Sequence, residues 1–292
     1  MRILHVPLFP RLDIRVTVSR NHTDSGLKSA NGHLSDGIRD LRESLGRWRL
    51  WLLLGWIEIR QRYARSLLGP FWLTISTGTM ILAIGVVFGV LLHQPMQQYL
   101  PMLGIGVITW TLISTIINEG ATAYISAATY MRQINTPKLL YIFQVTWRNF
   151  IIFLHNFAIV ILLMAVFGVR QFGAIPLVIP GLILLVLNAM WMAAIVALLS
   201  TRYRDVPQII GSVMLVCFYV TPVMYSRSML KSHAYLLLYN PFSYLLSDVR
   251  RPLLGLYPTP RDWIVPVVMA LAGWFFALVL NGRYHRRLAY WL

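Results

Sequence analysis

Residues 66–118 read SLLGPFWLTISTGTMILAIGVVFGVLLHQPMQQYLPMLGIGVITWTLISTIIN and contain no Asp, Glu, Lys or Arg. An α-helix rises about 1.5 Å per residue, so about 20 apolar residues cross the hydrocarbon core of a bilayer. This run is therefore long enough for two crossings. Further uncharged runs, each long enough for one crossing, lie at 149–169, 171–201, 206–226 and 263–282. The sequence predicts an all-α integral membrane protein with six transmembrane helices, at roughly 71–92, 100–118, 149–168, 176–199, 207–225 and 263–281.

The composition agrees with a membrane protein. A mean hydropathy of +0.63 and 57% hydrophobic residues exclude an ordinary soluble domain. The net charge of +16 does not indicate a nucleic-acid-binding protein, because Lys and Arg lie beside the apolar spans rather than on a soluble face. With six crossings, 20 of the 26 Lys and Arg residues lie on the same side as both termini. Positive charge is retained in the cytoplasm, so both termini are predicted to be cytoplasmic.

Three segments flank or interrupt the predicted spans. Residues 1–46 are polar and are interpreted as a cytoplasmic tail that is flexible or partly helical. Residues 47–70 begin with RWRLWLLLGWIEIRQRYAR, which mixes tryptophan with arginine; this favours an amphipathic helix in the membrane interface over a short buried helix. Residues 226–262 form a predicted external segment of the transmembrane domain 71–292. Within it, SHAYLLLYNPFSYLLS (232–247) favours a short re-entrant helical pair over an amphipathic surface loop.

The chain lacks the common catalytic motifs. It has no G-x-x-x-x-G-K-[ST] loop for ATP, no H-E-x-x-H and no G-x-S-x-G. Its single cysteine, Cys217, excludes an intrachain disulfide, and neither catalytic residues nor a metal site are predicted. One cluster of charges, listed here, keeps open the alternative of a membrane enzyme that uses a polyprenyl-phosphate carrier: Asp248, Arg250, Arg251 and Asp262.

Aromatic and small residues within the spans suggest two further features. Trp110, Tyr219 and Tyr225 are candidates for lining a channel, since aromatic rings stack on sugar faces. Helix packing, or an aromatic belt at the membrane surface, is the alternative interpretation of these residues. Gly85 and Gly89 form a G-x-x-x-G pattern that is compatible with a close helix–helix contact.

Four segments together resemble the permeases of ABC-2 type exporters, among them the exporters of O-antigen, capsule and teichoic acid. RYARSLLGPFW (62–72) is similar to the entry of that family's first span, and RQINTPKLLY (132–141) to the cytoplasmic loop after the second span. LSTRYRDVPQI (199–209) resembles the next cytoplasmic loop, and YNPFSYLL (239–246) the external helical region. The likeness extends over about 47–290, and the segments occur in the family's order.

The resemblance implies a function and a set of partners. The expected protein is a homodimer in the bacterial inner membrane that binds two copies of a separate cytoplasmic ATPase. It moves a lipid-linked polysaccharide outward through a channel between the subunits; another cargo, such as a lipid or a drug, is the alternative. ATP and Mg²⁺ are then bound by the ATPase, and no cofactor by this chain.

The resemblance also assigns roles to loop residues. Contacts with the ATPase are expected at Arg132, Pro137, Lys138, Tyr203, Arg204 and Asp205. Basic loops that only fix the membrane orientation are the alternative. Arg60, Arg62 and Arg65 are candidates for binding the phosphate of the lipid-linked glycan, although anchoring to ordinary phospholipids would use the same side chains.

Overall fold

The computed structural model describes residues 30–64, 69, 71–91, 93–134, 136–167, 173–226 and 237–291. Within these residues the regular structure is entirely helical, which confirms the all-α expectation. The helices are α1 Ala30–Gly46, α2 Trp48–Tyr63, α3 Phe71–Leu91, α4 Met96–Ser126, α5 Ala128–Gln133, α6 Leu139–Phe167, α7 Val178–Arg202, α8 Val206–Val220, α9 Pro241–Leu253 and α10 Pro260–Trp291, with a 3-10 turn at Ile175–Leu177 before α7.

Five of the helices are long and apolar enough to cross a membrane: α3, α4, α6, α10, and α7 together with its preceding 3-10 turn. The chain is therefore a multi-pass membrane protein. The remaining apolar helix, α8, has 15 residues where a span at 207–225 was expected. Its length is about 22 Å, shorter than the roughly 30 Å hydrocarbon core. The count of six crossings stays a prediction.

Helix α4 forms the centre of the bundle. It packs against α3, α6, α7, α8 and α9, and nearly every apolar side chain along it is buried. Helix α3, in contrast, lies at the edge and leaves side chains such as Val87 and Val90 more than 60% exposed. Gly85 and Gly89 of α3 face α4, where an added Cβ would meet Leu100 and Met96 respectively. The expected close contact at the G-x-x-x-G pattern is therefore the α3–α4 contact.

The segment interpreted as a polar tail contains α1, which packs along α10. The two helices approach closely at glycines: a Cβ on Gly37 would overlap the backbone of Leu278, and one on Gly282 would overlap the backbone of His33. Residues 1–29 lie outside the described part of the chain.

Helix α2 occupies the position of the expected interface helix. It packs on α6, where Gly55 sits against Trp147 and the ring of Trp51 stacks on Phe143 with centroids 5.7 Å apart. Its exposed arginines are not confined to one face. Whether α2 lies in the membrane plane stays a prediction.

Helix α9 lies in the predicted external segment. The side chain of Asn240 accepts a hydrogen bond from the backbone N–H of Phe242 at 3.0 Å and so caps the start of the helix. Its apolar face, including Leu245, Leu246 and Val249, is fully buried against α4, α7 and α10. Residues 232–236 of the expected helical pair at 232–247 lie outside the described residues, so the pair stays a prediction.

Candidate functional site

A partly buried network of charges joins α2, α4 and α6. Glu119, near the end of α4, accepts hydrogen bonds on one oxygen from Arg148 Nη2 and Asn149 Nδ2 of α6, both at 2.6 Å. Arg148 also pairs with Glu58 of α2, and its side chain is only 11% exposed. One guanidinium thus holds carboxylates from two other helices. Breaking such a network destabilises the fold, because a buried charge that loses its partner costs free energy.

Two further side chains complete this network. Arg62 of α2 approaches Glu119 at 3.3 Å, and Gln144 of α6 donates a hydrogen bond to Glu58 at 2.7 Å. Glu58 and Arg62 are one helical turn apart, and both face the bundle, as their shared helix face predicts. Helix α2 is therefore bound to two long helices by polar contacts, and its movement is linked to theirs.

The expected phosphate-binding arginines occupy different environments. Arg60 is exposed at the end of α2, whereas Arg62 is paired with Glu119 and remains about half exposed. Arg65 lies outside the described residues.

The first expected ATPase-contact loop is only partly on the surface. Arg132 is exposed beside Tyr130 and Ile134, which are 62% and 56% exposed. Pro137 and Lys138 are buried. Burial lowers the pKa of the Lys138 ammonium group, and the nearby Asp40 carboxylate partly opposes that effect. A partner protein would therefore meet Tyr130, Arg132 and Ile134 rather than Lys138.

The second expected contact loop, between α7 and α8, is fully on the surface. Tyr203, Arg204 and Asp205 are all exposed, and the guanidinium of Arg202 lies 5.3 Å from the centre of the Tyr203 ring. Because α6 and α7 each run once along the bundle, the loops before α6 and after α7 lie at the same end. Both loops are thus available to a single partner.

The three candidate channel aromatics do not share one surface. Trp110 is buried within the subunit, with ring centroids 5.5 Å from Phe242 and 6.0 Å from Phe218. Tyr219 is 64% exposed on α8, and Tyr225 is half-buried, with its hydroxyl donating to the carbonyl of Val220 at 2.9 Å. In this subunit Trp110 packs in the core, and Tyr219 is the residue that faces outward.

The acidic pair of the enzyme alternative lies inside the protein. Asp248 of α9 and Asp262 of α10 are both fully buried. Asp262 accepts hydrogen bonds from the backbone and hydroxyl of Thr259 at 2.7 and 2.6 Å, with Arg251 at 3.6 Å. Within the described part of the chain, neither carboxyl oxygen of Asp248 has a hydrogen-bond partner. Burial, with the nearby Asp262, raises the pKa of Asp248 to about 8. Neither group is placed to act on a substrate from outside.

Asp248 gives a prediction about pH. Its carboxyl has a higher pKa in the folded protein than in an unfolded chain, where the pKa is about 3.9, so its contribution to stability is fully present below pH 4 and is lost as the pH rises towards 8. The variant Asp248→Asn cannot ionise, and its melting temperature in detergent should fall less between pH 5 and 8 than that of the wild type. Asp205→Asn, at an exposed position, is the matched control and should keep the wild-type pH profile. Parallel profiles for Asp248→Asn and the wild type would contradict this assignment.

Comparison with known proteins places this arrangement in a family. The model of the family described as "ABC-2 type transporter" matches residues 49–254, from the start of α2 to the end of α9. The chain is 25% identical to the "O-antigen export system permease protein RfbA" of Myxococcus xanthus over 219 residues, which cover 72% of this chain and 82% of that protein. It is 18% identical to a protein of the same name from Klebsiella pneumoniae over 198 residues, 66% of this chain and 75% of that protein. Since the family match extends over more than two thirds of the sequence, the chain belongs to the ABC-2 type transporter family.

Proposed function

We propose that this chain is the transmembrane permease subunit of an ATP-driven exporter that moves a lipid-linked polysaccharide from the cytoplasm outward across the bacterial inner membrane. The observation that carries this proposal is the family match from α2 to α9 together with relatives named as O-antigen export permeases. The architecture supports it: a bundle of apolar helices has two exposed polar loops at one end, and a separate helix, α2, is bound to the bundle by charges.

In this proposal the chain crosses the membrane six times, with α8 as the short fifth crossing and both termini in the cytoplasm. The distribution of Lys and Arg supports that orientation. Local thinning of the bilayer, or burial of α8 against a partner, would accommodate its 15 residues.

The functional unit is a homodimer with the cargo channel between its subunits. Support comes from α3 and α8, two of the helices that present exposed apolar faces at the edge of the bundle. Val86, Val87 and Val90 of α3 and Leu215, Val216 and Tyr219 of α8 are between 53% and 70% exposed. A second copy packed on these faces would place Tyr219 next to the channel, where its ring can stack on sugars.

Two copies of a cytoplasmic ATPase drive transport and bind the ATP and Mg²⁺. They dock on the loops containing Tyr130, Arg132 and Ile134 and containing Tyr203, Arg204 and Asp205. Each loop pairs a tyrosine with an arginine, and these two residue types are enriched among the residues that dominate protein interfaces. Movement of α2 is then transmitted to α4 and α6 through Glu58, Arg148 and Glu119.

The lipid-linked phosphate of the cargo binds near Arg60, Arg62 and Arg65. Arg60 is exposed and available to a headgroup, and a phosphate would compete with Glu119 for Arg62. Each arginine near an anionic headgroup layer contributes about 1 kcal/mol. Selection of glycan over a drug or lipid cargo rests on the names of the relatives. The enzyme alternative loses support because Asp248 and Asp262 are buried.

Two experiments test the proposed function. In a strain that lacks this chain and any paralogue, the polysaccharide should accumulate inside the cell and disappear from the surface. A tagged copy solubilised in mild detergent should co-purify with one ABC-type ATPase at equal stoichiometry. Normal surface glycan in the deletion strain would overturn the cargo assignment, and purification without any nucleotide-hydrolysing subunit would overturn the transport mechanism.

A further inference from the structure

Helix α1 lies outside the matched part of the family model and contributes a buried carboxylate to the bundle. Asp40 is only 3% exposed. Its two oxygens accept hydrogen bonds from the backbone N–H groups of Lys138 at 2.8 Å and Leu139 at 2.9 Å. These N–H groups are at the start of α6, where a helix lacks internal acceptors for its first donors. Asp40 thus caps a helix that begins almost a hundred residues later in the chain.

The same carboxylate also binds the last helix. Oδ2 of Asp40, which accepts from Leu139, also accepts a hydrogen bond from Asn281 Nδ2 of α10 at 3.2 Å, and Asn281 is buried. One side chain of α1 therefore bridges the start of α6 and the end of α10.

The close glycine contacts fix α1 to α10. An added Cβ at Gly37 or Gly282 would overlap backbone atoms of the facing helix, so the two helices are in direct backbone contact at two points, which lie before Asp40 on α1 and on either side of Asn281 on α10. Backbone atoms cannot rotate away as a long side chain can. Helix α1 is therefore packed backbone to backbone against the C-terminal half of α10.

The segment that Asp40 holds adjoins the first partner loop. Thr136 and Tyr141 hydroxyls are 3.0 Å apart, and both residues are buried, which makes 136–141 a well-packed segment. This segment begins two residues after the exposed Ile134. Helix α5, which contains Tyr130 and Arg132, ends immediately before Ile134. The backbone N–H groups that Asp40 binds therefore begin four residues after the exposed Ile134.

We infer that Asp40 is a positioning residue for transport: it couples α5 and the segment 136–138 to α10, and α1 carries movement between them. This inference rests on the proposed function, since it requires an ATPase that pushes on the loop. It adds a route through α1 and α10, elements that lie largely beyond the region matched by the family model. The coupling passes through hydrogen bonds to a single carboxylate, so it can be interrupted at that carboxylate.

Two variants separate coupling from simple helix capping. Asp40→Asn keeps the shape of the side chain but replaces one acceptor oxygen with a donor that faces the N–H groups of α6. Asn281→Ala leaves the cap of α6 intact and removes only the link to α10. Among the described residues the amide oxygen of Asn281 has no hydrogen-bond partner, so this truncation removes no hydrogen bond on that side. Glu43→Gln, at an exposed position of α1, is the matched control.

Each variant is expressed in the deletion strain, and surface and intracellular polysaccharide are quantified. The complex with its ATPase is then purified, and the amount of bound ATPase and the rate of ATP hydrolysis are measured. We expect Asp40→Asn and Asn281→Ala to retain ATPase binding and hydrolysis but to lower surface glycan at least about fivefold, the lower range of typical coupling effects. Glu43→Gln should export normally.

Other outcomes overturn the inference. Normal export by Asn281→Ala would show that Asp40 acts only as a cap of α6, and this variant keeps the test decisive if Asp40→Asn fails to fold. Loss of ATPase binding in either variant would show that the carboxylate supports the docking surface instead. If the wild-type chain captures no ATPase, it is the proposed function that fails, and the result is distinguishable from a failure of coupling.

Discussion

Replacing Arg148 by methionine is expected to destabilise the protein by about 2–3 kcal/mol, less than the ~3–5 kcal/mol cost of removing one partner from a fully buried ion pair, because Glu58 and Glu119 are 36% and 28% exposed. Arg148 neutralises Glu58 and Glu119 at once, and its side chain is nearly inaccessible. Methionine fills much of the same volume but leaves two carboxylates close together, with Arg62 at 3.3 Å from Glu119 as the cation that still pairs with them among the described residues. The two carboxylates that lose Arg148 lie where α2, α4 and α6 meet, so we expect the variant to lose export as well as stability.

Thermal unfolding in detergent micelles measures the first effect, and surface glycan in the deletion strain measures the second. Arg60→Met, which removes an exposed arginine of the same α2–α6 region, is the control and should melt close to the wild type. The triple variant Glu58→Gln, Glu119→Gln, Arg148→Met should recover much of the stability, because removing a whole buried ionic group is far less costly than breaking it. If Arg148→Met has the same melting temperature as the wild type, the network does not contribute to the stability of the protein.

The positions of the long helices were predictable because each lies in an uncharged run of membrane length. Their ends were less predictable. Helix α6 starts at Leu139, ten residues before the expected span, since Asp40 supplies acceptors for its first N–H groups. Helix α4 continues to Ser126, past the expected end at 118, because Glu119 is neutralised by Arg148. In both cases a side chain distant in sequence decides the boundary, and no local pattern records that partner.

Some features of the candidate functional residues were likewise predictable from the sequence, and others were not. The exposure of Arg132, Tyr203, Arg204 and Asp205 follows from their place in short polar loops between apolar runs. The sequence did not predict the ion pair between Glu58 and Arg148. The four-residue spacing of Glu58 and Arg62 did indicate a charged helix face. Nothing in the composition of α1 distinguishes the buried Asp40 from the exposed Glu43. That difference arises only when Gly37 and Gly282 bring α1 against α10.

Replacing Gly120 by alanine should destabilise the bundle by about 1–3 kcal/mol, the typical cost of adding a methyl group to a filled core. Gly120 lies on α4 where that helix crosses α7. An added Cβ would stand 2.5 Å from the Cβ and 3.2 Å from the Cα of Ala193, so the two helices would have to separate. Alanine is the better helix former by about 1 kcal/mol, which means that any loss of stability comes from packing.

A compensating change isolates that packing contact. Combining Gly120→Ala with Ala193→Gly moves the methyl group from α7 to α4, so the Cβ–Cβ overlap disappears while the 3.2 Å approach to the backbone remains. We expect the double variant to melt between the wild type and Gly120→Ala, a coupling that additive effects cannot produce. Gly211→Ala, where no atom lies within 4 Å of the added Cβ, should be neutral or slightly stabilising. If Gly120→Ala instead raises the melting temperature, α4 and α7 must be able to separate freely, and α4 could not serve as the rigid centre through which movement of α2 reaches the rest of the bundle.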